Sequence, residues 1–172
     1  MQITRARLAA TGICLLLTYI YSATGLSQVT GDVAEMNRLE TKAEEAVGND
    51  DPEGAAMSMG RAALMAKRLE QLNHENAEAF RLYRGAESLF RSQEHGYRAM
   101  ALFRRAGSQL PASSGVCGSL ALAHGSLQHA VTDLTMDTPP PAPLAERVKR
   151  WRATAEDWQT VLGSMITDYQ CH

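Results

Sequence analysis

Cysteine and histidine are the side chains of this sequence best suited to chemistry. Five of them lie in its C-terminal third, and the candidate site uses four: Cys117, His124, Cys171 and His172. Thiolate and imidazole are common metal ligands, so these residues raise the hypothesis of a small exported protein that handles a metal or cofactor. Their spacing matches no recognised metal motif. His124 and His129 are five residues apart, whereas two ligands on one helix face stand three or four apart. We therefore predict no resident metal or cofactor and keep metal handling as an alternative.

A disulfide is the competing use of Cys117 and Cys171. It would close a loop of about 55 residues and add about 4 kcal/mol of stability if it is unstrained. Such a bond requires an oxidising compartment. It would also tie the last helix of the chain to an earlier one.

The N-terminus has the pattern of an export signal. Arg5 and Arg7 precede an apolar run over residues 8–21, and small residues follow at 22–25. This order is typical of a secretory signal peptide, and cleavage after Gly25 fits its small-residue rule. The alternative is an uncleaved anchor, because residues 8–25 are just long enough to cross a thin bilayer. Both predict an exported chain that is periplasmic or secreted, or held at the inner membrane by residues 1–25.

The elements that must position any site are helical, and we predict an all-α fold. Apolar residues recur at helical spacing from Asp32 to Val47, and Asp51 with Pro52 marks a second helix start that runs to about Leu72. Residues 76–111 are predicted to form two helices joined by a turn at 92–96. A further helix is predicted over residues 116–134, interrupted by Gly118 and Gly125 and therefore dependent on tertiary packing or on close contact at these glycines.

The spacing in residues 33–111 resembles the tetratricopeptide repeat, in which large residues of one helix pack on small residues of the next and a proline ends the unit. The residues that carry the resemblance are Tyr83, Phe90, Ala99, Phe103, Ala106 and Pro111, with a second set at Leu39, Ala43, Ala46, Ala55, Met59 and Ala62. Glu87, Gly96 and Lys67 depart from the family pattern. The resemblance implies a helical-hairpin domain over residues 30–134 that binds protein partners, with Arg81, Arg84 and Arg91 as candidate ligands for acidic groups. The alternative is that these arginines pair with neighbouring glutamates.

A proline-rich linker is predicted at residues 135–143, followed by a C-terminal helix over 144–172. Its apolar residues alternate steps of four and three, which makes a straight seam that needs another helix. Trp151 and Trp158 lie on this seam. They either pack on the chain's own helices or bind a partner or a second copy, and we favour packing within the chain. The seam residues are Leu144, Val148, Trp151, Ala155, Trp158, Leu162, Met165 and Tyr169.

The number and distribution of charged residues restrict the kinds of partner that the protein can bind. The 172 residues carry 17 Lys+Arg and 19 Asp+Glu, with six basic and three acidic side chains in 76–111 against five and ten in 26–75. A basic middle between acidic ends either docks an acidic partner or lets adjacent helices complement each other. An acidic, exported chain is a poor nucleic-acid binder.

No nucleotide-binding or nucleophile motif has its required context in the sequence. We predict a non-catalytic protein-interaction scaffold or accessory subunit of an envelope or periplasmic complex. Its membrane contact would be only through an uncleaved N-terminus. The alternative is metal or cofactor handling by Cys117, His124, Cys171 and His172, and a third hypothesis is a short enzyme with an unrecognised site.

Overall fold

The computed structural model describes residues 31–136 and 140–171, and this part of the chain is all α-helical, as predicted. Helix α1 covers residues 31–48. It is followed by α2 (Pro52–Leu72), α3 (Ala77–Arg105), α4 (Ser114–Leu134) and α5 (Ala142–Asp168). The described ranges contain no strand. The predicted signal peptide or anchor at residues 1–25, and His172, lie outside them.

Two helix starts follow from local capping. The Asp51 side chain accepts a hydrogen bond from the Gly54 amide at 2.9 Å, and Pro52 occupies the first turn, where its missing N–H costs nothing. The Asn76 side chain accepts from the Ala79 amide at 3.0 Å and begins α3. Both starts were predicted from the sequence.

The predicted turn at residues 92–96 is wrong, because α3 continues through it as one helix of 29 residues. Ser92, Glu94 and Gly96 are buried positions of α3 instead of exposed positions of a loop. A Cβ at Gly96 would lie 2.6 Å from the Trp158 ring, so this glycine makes room for a side chain of α5. The helical hairpin predicted at 76–111 is therefore absent. The helical region also ends earlier than the predicted residue 111, since α3 ends at Arg105 and Leu110 is exposed.

Helix α3 is central and contacts α2, α4 and α5. It is antiparallel to α2, as Arg105 near its end pairs with Glu53 near the start of α2. It is parallel to α5, since Tyr83 and Phe103 contact Trp151 and Tyr169 in the same order. One continuous core runs through all five helices.

Helix α1 joins this core through contacts to two other helices. Asp32 forms an ion pair with Arg68 of α2 at 3.2 Å, which makes α1 and α2 an antiparallel hairpin. Further along α1, the Glu40 carboxylate accepts a hydrogen bond from Trp151 Nε1 of α5 at 3.0 Å. Helices α1 and α5 therefore cover one side of α2 and α3.

The seam of α5 packs within the chain, which is the arrangement that we favoured. Trp151, Ala155, Trp158, Leu162 and Met165 are all buried in the common core. The last helix is therefore part of the same packed unit as the preceding four.

Helix α4 corresponds to the helix predicted over residues 116–134, and it contains the two interior glycines. A Cβ at Gly118 or Gly125 would meet no atom within 4 Å. Of the two predicted supports, close contact at these glycines is therefore absent, and tertiary packing of buried residues such as Leu120 and Leu127 supports the helix.

Candidate interaction surface

Two of the three arginines predicted to bind a partner hold α4 in place. Arg81 donates to the carbonyls of Thr132 and Thr135 at 2.9 and 2.8 Å, and Arg84 forms a two-pronged ion pair with the buried Asp133. Helix α4 has no basic residue in its last turn, so Arg81 supplies positive charge at the negative end of its dipole. The pKa of Arg84 is raised by its hydrogen bond to Asp133. These two side chains fasten neighbouring helices together.

Trp151 and Trp158 also serve the core. Trp151 is fully buried and lies edge-on to Tyr83 and Phe90, with ring centroids 6.4 and 5.8 Å apart. Trp158 lies 5.1 Å from Tyr97 and against Gly96. A partner cannot reach either indole in this fold, so packing within the chain holds for both residues and their candidate role in binding a partner does not.

Cys117 and Cys171 form the disulfide that was considered for them, with Cα atoms 5.3 Å apart. The bond joins the first turn of α4 to a residue three positions after the end of α5. Beside it, the Ala112 amide donates to the Tyr169 carbonyl at 3.0 Å. Both thiols of the alternative metal site are therefore bonded to each other in the disulfide. Among the described residues, which do not include His172, no group of three His, Cys, Asp or Glu side chains is placed to hold a metal.

Arg91, the third predicted arginine, belongs to a different arrangement. Glu94 is only 8% exposed. Its carboxylate accepts a hydrogen bond from Arg91 on one side and one from Arg98 on the other. Gly60 of α2 makes space for it, because a Cβ there would lie 3.1 Å from the carboxyl carbon. A buried carboxylate with two cationic partners fixes both guanidiniums in position. We call these three side chains the Glu94 cluster.

The Glu94 cluster lies in a groove of about 720 Å³ between α2 and α3, which we call the α2–α3 groove. Small residues, Ala56, Gly60 and Ala101, form part of its lining. Met57 and Leu64 also line it, and they are 69% and 55% exposed. The groove therefore combines a concave shape with accessible apolar surface, the usual properties of a binding site.

Positive charge exceeds negative charge along the groove. Its charged lining consists of four guanidiniums and two carboxylates: Arg61, Arg91, Arg98, Arg105, Glu53 and Glu94. Both carboxylates already accept from arginines of α3, and two carboxylates outside the lining, Glu35 and Glu87, lie 3.7 and 3.6 Å from Arg61 and Arg91. The lining itself therefore presents a net positive charge to an acidic ligand.

A second, more polar pocket of about 320 Å³ lies between α1, α3 and α5. Burial raises the pKa of Glu40 in this pocket, and the opposing effects of Arg150 and the Trp151 indole only reduce that rise. The pKa of Tyr97 is also raised, by burial and by the nearby Glu44. Glu40 accepts from Trp151 and from Arg150, at 3.0 and 3.3 Å. Through these two contacts, Glu40 links α1 to α5.

The groove was missed by sequence reasoning, although its spacing is visible in the sequence. Arg91, Arg98 and Arg105 recur every seven residues, and so do Met57 and Leu64. Such spacing places residues on one helix face. What the sequence does not show is that the two rows line the same groove.

No family model, curated protein or solved structure matches this chain. Among the described residues, none of the helices has both the length and the apolar character needed to span a bilayer.

Proposed function

We propose that this protein is a non-catalytic interaction module that binds a protein partner in the α2–α3 groove. The observation that carries the proposal is the exposure of Met57 and Leu64 beside a fixed row of arginines. Large apolar side chains that line a concave, charged groove are typical of binding surfaces rather than of ordinary exposed helix faces.

The disulfide and the N-terminal sequence favour a role as an accessory subunit of an envelope complex. The Cys117–Cys171 disulfide supports an oxidising compartment, in agreement with the basic and apolar order of residues 1–25. Intact-mass measurement on protein purified from its native envelope tests the compartment. We expect loss of residues 1–25, or their retention with the chain in the membrane fraction, and two hydrogens fewer than the reduced chain. A fully reduced chain in the cytosolic fraction would contradict export.

Affinity capture from envelope extract tests the groove. Met57→Ser combined with Leu64→Ser removes its exposed apolar side chains without touching the core, and we expect the captured partner to be lost. Leu122→Ser is the matched control, because Leu122 is 58% exposed on α4, outside the groove lining. The same partners captured by the wild type and the double variant would refute the proposal.

A further inference from the structure

The groove's dimensions restrict what can occupy it. Its arginine row runs from Arg91 to Arg105, which is 14 residues of helix or about 21 Å. A partner helix of about four turns has this length. The groove is formed by two antiparallel helices, and a third helix packs readily against such a pair.

The spacing of the row distinguishes a helical partner from an extended one. Guanidiniums seven residues apart recur about every 10.5 Å along α3. An extended peptide presents side chains on one face about every 6.6 Å, so its carboxylates would fall out of step with the arginines. A helix with acidic residues every seven positions stays in step over the whole row.

The apolar residues specify the partner's other face. Met57 and Leu64 are also seven residues apart, on the α2 side of the groove. A partner helix therefore needs an apolar stripe toward α2 and a carboxylate row toward α3. This is the pattern of an acidic amphipathic helix.

The Glu94 cluster prepares the arginines for such a partner. Glu94 holds Arg91 and Arg98 while their side chains remain 34% and 50% exposed. A guanidinium has five N–H donors, so each arginine keeps donors for another carboxylate. Because the side chains are already positioned, binding loses less conformational entropy.

We propose, building on the proposed function, that the occupant of the α2–α3 groove is an acidic amphipathic helix of about 14 residues. Its carboxylates, spaced by seven, pair with Arg91, Arg98 and Arg105, and its apolar stripe covers Met57 and Leu64. An anionic membrane shares the charge, but a flat bilayer surface does not fill a concave groove.

Synthetic peptides test this proposal against the full chain. The probe is a helical peptide with Leu and Glu rows spaced by seven; one comparison peptide has Lys in place of Glu, and another has the same composition with a central Pro. We expect saturable one-to-one binding of the Glu peptide by calorimetry. Both comparison peptides should bind at least tenfold more weakly. The Lys peptide loses its charge-assisted contacts, one of which is worth about that factor, and the Pro peptide cannot form one continuous helix.

Variants locate the binding site. Arg98→Glu should weaken the Glu peptide and strengthen the Lys peptide, whereas Arg152→Glu, a control on the exposed face of α5, should change neither. Arg61→Glu, which leaves the Glu94 cluster intact, should shift the two affinities in the same directions as Arg98→Glu. Circular dichroism verifies the folding of each variant. Equal affinity for the Glu and Lys peptides, or for the Pro peptide, would overturn the inference. So would binding only to vesicles of anionic phospholipid, or only self-association of the chain.

The two proposals fail separately. If the Glu peptide does not bind but the Met57/Leu64 variant still loses a captured protein, the helical partner is wrong and the interaction groove stands. If the variant also captures every partner that the wild type does, both proposals fail.

Discussion

Two faces of α3 use opposite means to meet their neighbours. Toward α5, the helix presents aromatic rings and one glycine, and Trp151 and Trp158 are buried against them. Toward α2, it presents arginines around one buried carboxylate, and a groove remains. At the two indoles the first face has no room for another molecule, and the polar pocket beside them, at about 320 Å³, is less than half the size of the groove. The second has room and exposed apolar surface, so one face of the helix serves stability and the other is the one for which we propose recognition.

The largest expected effect is on the aromatic face. Trp151→Ala removes a fully buried indole, its edge contacts with Tyr83 and Phe90, and the hydrogen bond to Glu40, and should lower the free energy of unfolding by about 3–5 kcal/mol. Urea unfolding measures this. Leu64→Ala, on the groove face, is the control and should cost far less. Similar losses for both would break the distinction between the faces.

The next largest effect concerns the tether of α5. Replacing both Cys117 and Cys171 by Ala should lower the free energy of unfolding by about 2–4 kcal/mol, because the unfolded chain regains the freedom of a long loop. Wild-type protein with reductant should behave alike, and reductant should not affect the double variant. Binding of the Glu peptide by the folded variant should persist. Loss of that binding would show that the two regions are coupled.

Two glycines compare the faces directly. Gly96→Ala places a Cβ 2.6 Å from the rigid Trp158 ring and should cost about 1–3 kcal/mol through overpacking. Gly60→Ala meets only the Glu94 carboxyl group, at 3.1–3.4 Å, and its helix propensity gain of up to about 1 kcal/mol offsets the crowding. Gly125→Ala, in open space, should stabilise and gives the reference for propensity alone. Equal costs at Gly60 and Gly96, measured by thermal unfolding, would contradict the contrast.

The smallest effect depends on pH. Because burial raises the pKa of Glu40 in the folded state, its protonated form contributes stability that is fully present below about pH 4.5 and is lost as the pH rises through the higher folded-state pKa. Relative to Glu40→Gln, the wild type should therefore lose stability between pH 4 and 7. Urea unfolding of both proteins across this range measures the change, with Glu156→Gln as an exposed control. A relative gain with rising pH would show that Arg150 and the indole outweigh burial.

Much of the fold could be predicted because its causes are local. Asp51 and Asn76 cap helices with their own side chains. The apolar residues from Leu144 to Tyr169 alternate steps of four and three, so they form one helix face that must be buried against another helix. The charge segments were also informative, since Arg105 pairs with Glu53 and Arg84 with Asp133. This supports the alternative that adjacent helices complement each other.

The errors have non-local causes. Gly96 looked like part of a turn, and only Trp158, 62 residues later, explains why a glycine lies within a helix. The arginines of α3 looked like one basic face, but Arg84 faces α4 while Arg91 and Arg98 face the groove. Their division depends on which helix packs on each side, and that information is not contained in the spacing of one helix.

The length of α3 has a consequence for how this chain can vary. One inserted residue in the middle of the helix would rotate everything after it by about 100°, which would turn the arginines toward the core and the aromatic contacts toward water. Seven inserted residues would rotate it by only about 20°. Related chains of different length should therefore differ in the loops around α3, or within α3 only by whole pairs of turns.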